Sequence, residues 1–242
     1  MEEKNDWSFL KKIGKPKLID SGADSRGFSV TSNENDEVKF VAKLYDRINF
    51  NSIEPIKAKE VLRQYYADTE EATQILEAEP NPLNQYIVIN NETFPLEYVV
   101  IPQGAVMLEK NTKVSYHTKK GGFVQDEKRR VKALVGQKFI NGANLGFLMD
   151  GEKIEPKGSA AETQRVFINN DKLCDELDNA VKELFPYLSK KLNVKFTYNS
   201  LNVKPFIDEK AKKVILVITD LAANLKIYYE QSDKFREIRS ET

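Results

Sequence analysis

Residues 17–45 read KLIDSGADSRGFSVTSNENDEVKFVAKLY, and the folding of this stretch decides what the remainder can be. Lys17-Leu18-Ile19-Asp20 has strand character and runs into a turn of small residues over 21–27. Phe28-Ser29-Val30-Thr31 follows, then a polar turn over 32–37, then the apolar-rich run 38–45. Short β-forming runs separated by Gly, Ser, Asn and Asp predict an antiparallel meander. Gly22 and Gly27 flank its first turn. Without a Cβ, a glycine lets backbone N–H groups approach a phosphate oxygen closely. Phe28, not a lysine, follows Gly27, and a strand comes next where a strand–loop–helix phosphate site needs a helix. A glycine-rich hairpin turn is the plain alternative.

Downstream of the meander the period changes. Pro55 suits a first helical turn, and Val61, Leu62, Tyr65, Tyr66, Ala72, Ile75 and Leu76 recur at near-helical spacing until Pro80 and Pro82. This predicts a helix over 55–78. Residues 86–89 and 96–101, with a turn at Asn90-Asn91, predict a hairpin. Residues 105–132 look irregular, 134–140 strand-like, and 151–168 loop-like. Over 170–192, Leu173, Leu177, Val181, Leu184, Leu188 and Leu192 form an apolar stripe, capped by Asn170 and kinked by Pro186. Strand character returns at Phe206-Ile207 and over 214–218, with Asp220 just beyond, and a last strand is expected over 225–229.

Composition narrows the function classes. Apolar residues make up 40% of the chain, too many for a disordered one. Lys plus Arg equals Asp plus Glu at 37 each, so no global field draws the protein to nucleic acid or anionic membrane. The stretch from Lys110 to Lys132 is locally basic, eight cations against two acids, and reads as a solvated loop sooner than a nucleic-acid surface. One cysteine, Cys174, excludes an intrachain disulfide; with His117 as the one histidine, a thiolate–imidazole zinc site within the chain is excluded too. A Cys174–His117 dyad has no activating pattern around it. No run approaches the ~20 apolar residues of a spanning helix. No secretory leader is evident either, so a cytoplasmic location and no membrane partner are expected.

Two polar residues stand out. Lys43 closes Val41-Ala42-Lys43 inside a strand, where an ammonium must meet an anion or snorkel out; an edge-strand lysine is the alternative. Asp220 ends a strand beside Ala222-Ala223, a common place for metal- or phosphate-facing acids, or for an ordinary turn aspartate.

Taken in order, these motifs resemble the protein kinases and the related aminoglycoside phosphotransferases. A strand, glycine loop and strand precede a Val-Ala-Lys strand whose lysine lies 16 residues past Gly27. The helix over 55–78 then resembles helix C, with Glu71 (or Glu70) as the acid that pairs with the lysine, although Ala72 fits the register better. Residues 134–145 resemble the hinge and 170–192 helix E. Residues 199–208 resemble a catalytic loop, and Thr219-Asp220-Leu221 the metal-binding Asp-Phe-Gly. The resemblance implies an α+β, two-lobed fold: a β-rich region over 1–140 with one long helix, and a reduced, mainly helical region over 141–242. It also implies ATP and Mg2+ as cofactors, with Gly22, Gly27, Lys43 and Glu71 binding nucleotide and Asp220 binding metal.

The departures imply lost catalysis. Ser200 stands at the base position and Pro205 at the magnesium-binding asparagine position. A serine cannot take the acceptor's proton near neutral pH, and proline offers no side-chain oxygen. Asp208 is the nearby acid left to substitute. The expectation is therefore a pseudokinase-like module that binds nucleotide and a protein partner. An actin-like ATPase, with phosphate loops at 18–22 and 217–221, lacks room for its second half in the 22 residues after Asp220. A structural or partner-binding protein with no nucleotide site is the third reading.

Overall fold

The opening stretch forms three strands, β1 (Lys17–Ser21), β2 (Ser25–Thr31) and β3 (Val38–Tyr45), paired antiparallel in sequence order. In this computed structural model the described residues are 17–21, 25–31, 38–45, 55–107, 112–117, 123–129, 133–150, 159–168 and 170–240. Along the chain follow α1 (Pro55–Ala78), β4 (Tyr86–Ile89), β5 (Glu92–Val100), β6 (Gln103–Met107), β7 (Thr112–His117), β8 (Phe123–Arg129) and β9 (Ala133–Lys138). Next come α2 (Leu145–Met149), α3 (Ser159–Gln164), α4 (Asp171–Leu192), β10 (Val203–Asp208), β11 (Lys213–Ile218), α5 (Leu225–Gln231) and α6 (Arg236–Ser240). Among the described residues no helix is long and apolar enough to cross a membrane.

The protein is mixed α/β and divides into two compact units. The first takes its described residues from Met1–Asp68, Pro102–Phe139 and Asn224–Lys226; the second from Thr69–Ile101, Ile140–Ala223 and Ile227–Thr242. The units thus interleave in sequence, where a single division at 140 was expected. The reason is nonlocal pairing: β5 runs parallel to β11, with Leu96 opposite Val214 and Val100 opposite Ile218.

The first unit holds a seven-stranded sheet in the order β6-β9-β3-β2-β1-β7-β8, antiparallel except where β1 meets β7. β7 and β8 lie in the segment expected to be an irregular basic loop. Its lysines hide a period-two run of β formers at Thr112, Val114 and Tyr116, and register, not charge, decides.

The second unit holds a four-stranded sheet, β10-β11-β5-β4. Asn90 and Asn91 both take positive φ, 51° and 65°, as a two-residue hairpin turn between β4 and β5 requires. One sheet face is buried through Ile87, Ile89, Phe94, Leu96, Tyr98, Val203, Ile207, Val214, Leu216 and Ile218. The buried stripe of α4, from Leu173 to Leu192 at steps of three and four, supplies the unit's other apolar layer. The Asn170 side chain accepts the Leu173 N–H at 3.3 Å, Asn193 ends α4 in the left-handed region, and α4 continues through Pro186.

Two further expectations are corrected. Residues 159–167 are helical, not loop, and Gln164 at the end of α3 is fully buried. It accepts the Ala143 N–H and donates to the carbonyls of Ala143 and Pro205, so one side chain ties α3, the 140s turn and β10 together. Residues 225–231 are helical, not a strand: Leu225 and Tyr228, three apart, are the buried pair.

Candidate functional site

Lys43 lies on β3, between β2 and β9 in the interior of the seven-stranded sheet, so it is not an edge-strand lysine. It is half-buried. Its cross-strand partners are Gly27 on β2 and Val135 on β9. Directly opposed residues share a sheet face, so the glycine leaves the space beside the lysine stem without a side chain. Gly27 belongs to a strand, not to a loop; Gly22 lies outside the described residues.

On α1, Glu71 is exposed, while Ala72 beside it is fully buried. The buried acid of this helix is Asp68, at zero exposure on the stripe of Val61, Leu62, Tyr65 and Ala72; it accepts from Gln64 Nε2 at 2.9 Å. A buried carboxylate needs hydrogen bonds or a cation to offset its desolvation. Asp68 falls in the same compact unit as Lys43, whereas Glu71 falls in the other.

Residues 199–208, expected as a catalytic loop, instead open a β10–β11 hairpin with a closed base. Asn199 accepts the Leu201 N–H to start a short helical turn, Ser200–Asn202, and Thr219 donates through both N–H and hydroxyl to the Asn202 carbonyl. Gly146 of α2 packs so tightly here that a Cβ would come within 2.7 Å of Ser200 Oγ. Asp208 sits at the opposite, turn end of β10. Its Oδ1 accepts the N–H groups of Lys210 and Ala211 at 3.1 and 2.9 Å. Five strand steps, roughly 17 Å, separate Val203 from Asp208, so Asp208 and Ser200 do not share a site. Asp220 Oδ1 accepts the Ala222 N–H at 3.1 Å, again a turn-forming contact. Among the described residues no group of three or more His, Cys, Asp or Glu is placed to hold a metal ion.

Two polar sites carried no signal that singled them out in the sequence. Lys204 on β10 donates to the Gly142 carbonyl at 2.6 Å, and burial pulls its ammonium down to about 8. On α4, buried Asp178 accepts from the Tyr198 hydroxyl and pairs with Lys182 Nζ at 2.5 Å; burial, then this hydrogen bond, pushes the Tyr198 phenol far up. Cys174 donates its thiol to the Phe167 carbonyl at 3.3 Å, and burial, reinforced by Asp171 and Asp175, raises it to about 11. That is an inert structural thiol.

A cavity of about 510 Å³ opens over the second unit's sheet. Ile89, Phe94, Val166 and Ile207 give it an apolar floor. Around it stand Glu92, Glu162, Glu209, Arg165 and Lys212, with Lys212 paired to Glu92 and lying over the Phe94 ring at 5.7 Å. Three carboxylates against two cations do not welcome a polyphosphate. No protein-family model matches this sequence, and no curated protein matches it.

Proposed function

We propose that this chain is a kinase-like nucleotide-binding module with little or no phosphotransfer, serving a regulatory or partner-binding role. The observation that carries it is Lys43: a half-buried lysine on an interior strand, with a glycine directly across from it. A phosphate oxygen beside it gains a charge-assisted hydrogen bond, and Gly27 leaves that approach open. The antiparallel meander followed by a single long helix is the element order that the kinase resemblance requires. Asp68 replaces Glu71 as the acid that orients the lysine in this reading, because it is the buried carboxylate of that helix.

The same geometry argues against catalysis. Ser200 and Pro205 offer neither a base nor a metal ligand, and Asp208 and Asp220 each spend a carboxylate oxygen on a turn N–H. That last point also favours a second reading, a partner-binding protein with no nucleotide site.

Titration calorimetry with ATP, with and without magnesium, separates the two. Binding is expected to change little with magnesium and to weaken about tenfold or more in Lys43→Met, the value of a charged hydrogen bond. No heat at millimolar ATP from a folded sample would leave the partner-binding reading alone. Turnover near the roughly 1–100 s⁻¹ of ordinary kinases would overturn the non-catalytic assignment.

A further inference from the structure

We infer that this chain self-associates through the β4 edge of its four-stranded sheet, with β4 pairing antiparallel to β4 of a second copy. The two edges of that sheet differ. β10 carries Pro205 and Asp208 and has the Pro205 carbonyl occupied by Gln164. Proline, charge and a covering element are the usual guards of an edge. β4 reads Tyr86-Ile87-Val88-Ile89, with no proline and no charge.

The backbone orientation of β4 follows from its pairing. The Leu96 N–H donates to the Gln85 carbonyl at 3.0 Å, so residues 85, 87 and 89 turn their backbone groups toward β5. Pro95, which has no N–H, accordingly stands opposite Tyr86 in a pair that exchanges no bonds. The N–H and C=O groups of Tyr86 and Val88 therefore point away from the sheet, and their side chains are 56% and 60% exposed. Among the described residues neither backbone has a further hydrogen-bond partner.

This edge is complementary to itself. A twofold axis through Ile87 sets Tyr86 opposite the second copy's Val88 and Val88 opposite its Tyr86. Both pairs then exchange two N–H···O bonds, and each sets an aromatic ring against a β-branched side chain. A symmetric interface also sets every central charge against its own image. Residues 80–91 contain no charged side chain, in a chain that is 31% charged, and Glu92 just beyond is paired with Lys212. A strongly charged partner would find nothing here to match; a second copy meets no repulsion. Four residues of edge bury less than the ~1,200 Å² of standard interfaces, so the dimer is weak and concentration-dependent.

Sedimentation velocity on the full chain, from about 5 to 500 µM, tests this by mass action. The wild type is expected to shift from monomer toward dimer, and Val88→Lys to remain monomeric. Val99→Lys, on the same sheet face but on interior strand β5, should dimerise as the wild type does. If Val88→Lys misfolds, amide exchange of wild-type Tyr86 and Val88 should slow as concentration rises, without any variant. A monomer throughout, a dimer that survives Val88→Lys, or concentration-independent exchange at both amides overturns the inference.

Discussion

Lys204 holds its ammonium against the Gly142 carbonyl in a place where burial lowers its pKa from an ordinary 10.5 to about 8. The unfolded chain keeps this proton up to about pH 10.5, and the folded chain gives it up near 8. Between those values the unfolded state binds more protons, so stability rises with pH. Cys174 works the other way: its folded thiol titrates near 11 against an ordinary 9, so its contribution falls as pH climbs through that interval. The rise due to Lys204 is therefore cleanest between pH 8 and 9. Urea unfolding across that interval should show wild-type stability increasing, and Lys204→Met should lose the increase. An identical slope in both proteins would contradict the assignment. The residue's position in the sequence gave no warning. Lysines on strands commonly snorkel, and nothing local announces that this one, half-buried, turns its ammonium to the Gly142 carbonyl 62 residues away. Asp68 escaped for a related reason: an acid on an apolar stripe is recognised only once the stripe is known to be covered.

At the scale of elements, local signals were legible and nonlocal ones were not. The α1 helix and the β4–β5 hairpin follow from proline positions, apolar period and paired asparagines, all within a few residues of the feature they set. The α4 helix is legible in the same way, and its N-cap can be weighed. Asn170→Ala removes the acceptor for the Leu173 N–H and should cost about 1 kcal/mol by urea denaturation, while Asn170→Asp should hold stability near wild type. No loss in the alanine variant would mean that the cap is idle. By contrast, β11 pairs with β5 across more than a hundred residues, and no pattern within either strand announces that match. The same holds for β7, whose single register contact with β1 sets Lys17 opposite His117. Of the candidate site, the meander was legible, but Gly27 was read into its first turn, whereas it stands within β2 opposite Lys43. The spreading of Asp208 away from Ser200 was not legible, because 199–208 was read as a loop and is mostly strand.

At the scale of the molecule, two compact units are each stitched from separated segments, and the proposed chemistry belongs to the first. Its meander carries Gly27 and Lys43 side by side, and α1 contributes the buried Asp68. In the second unit, Asp208 and Asp220 each accept a turn N–H through Oδ1. The central claim, that nucleotide phosphate meets Lys43 on the face of the seven-stranded sheet, is tested most directly by amide hydrogen exchange of the full chain with and without saturating ATP. Slower exchange is predicted within residues 25–31 and 38–45, lost in Lys43→Met. Exchange that is unchanged across both strands at saturation, or protection confined to residues 203–220, would contradict it.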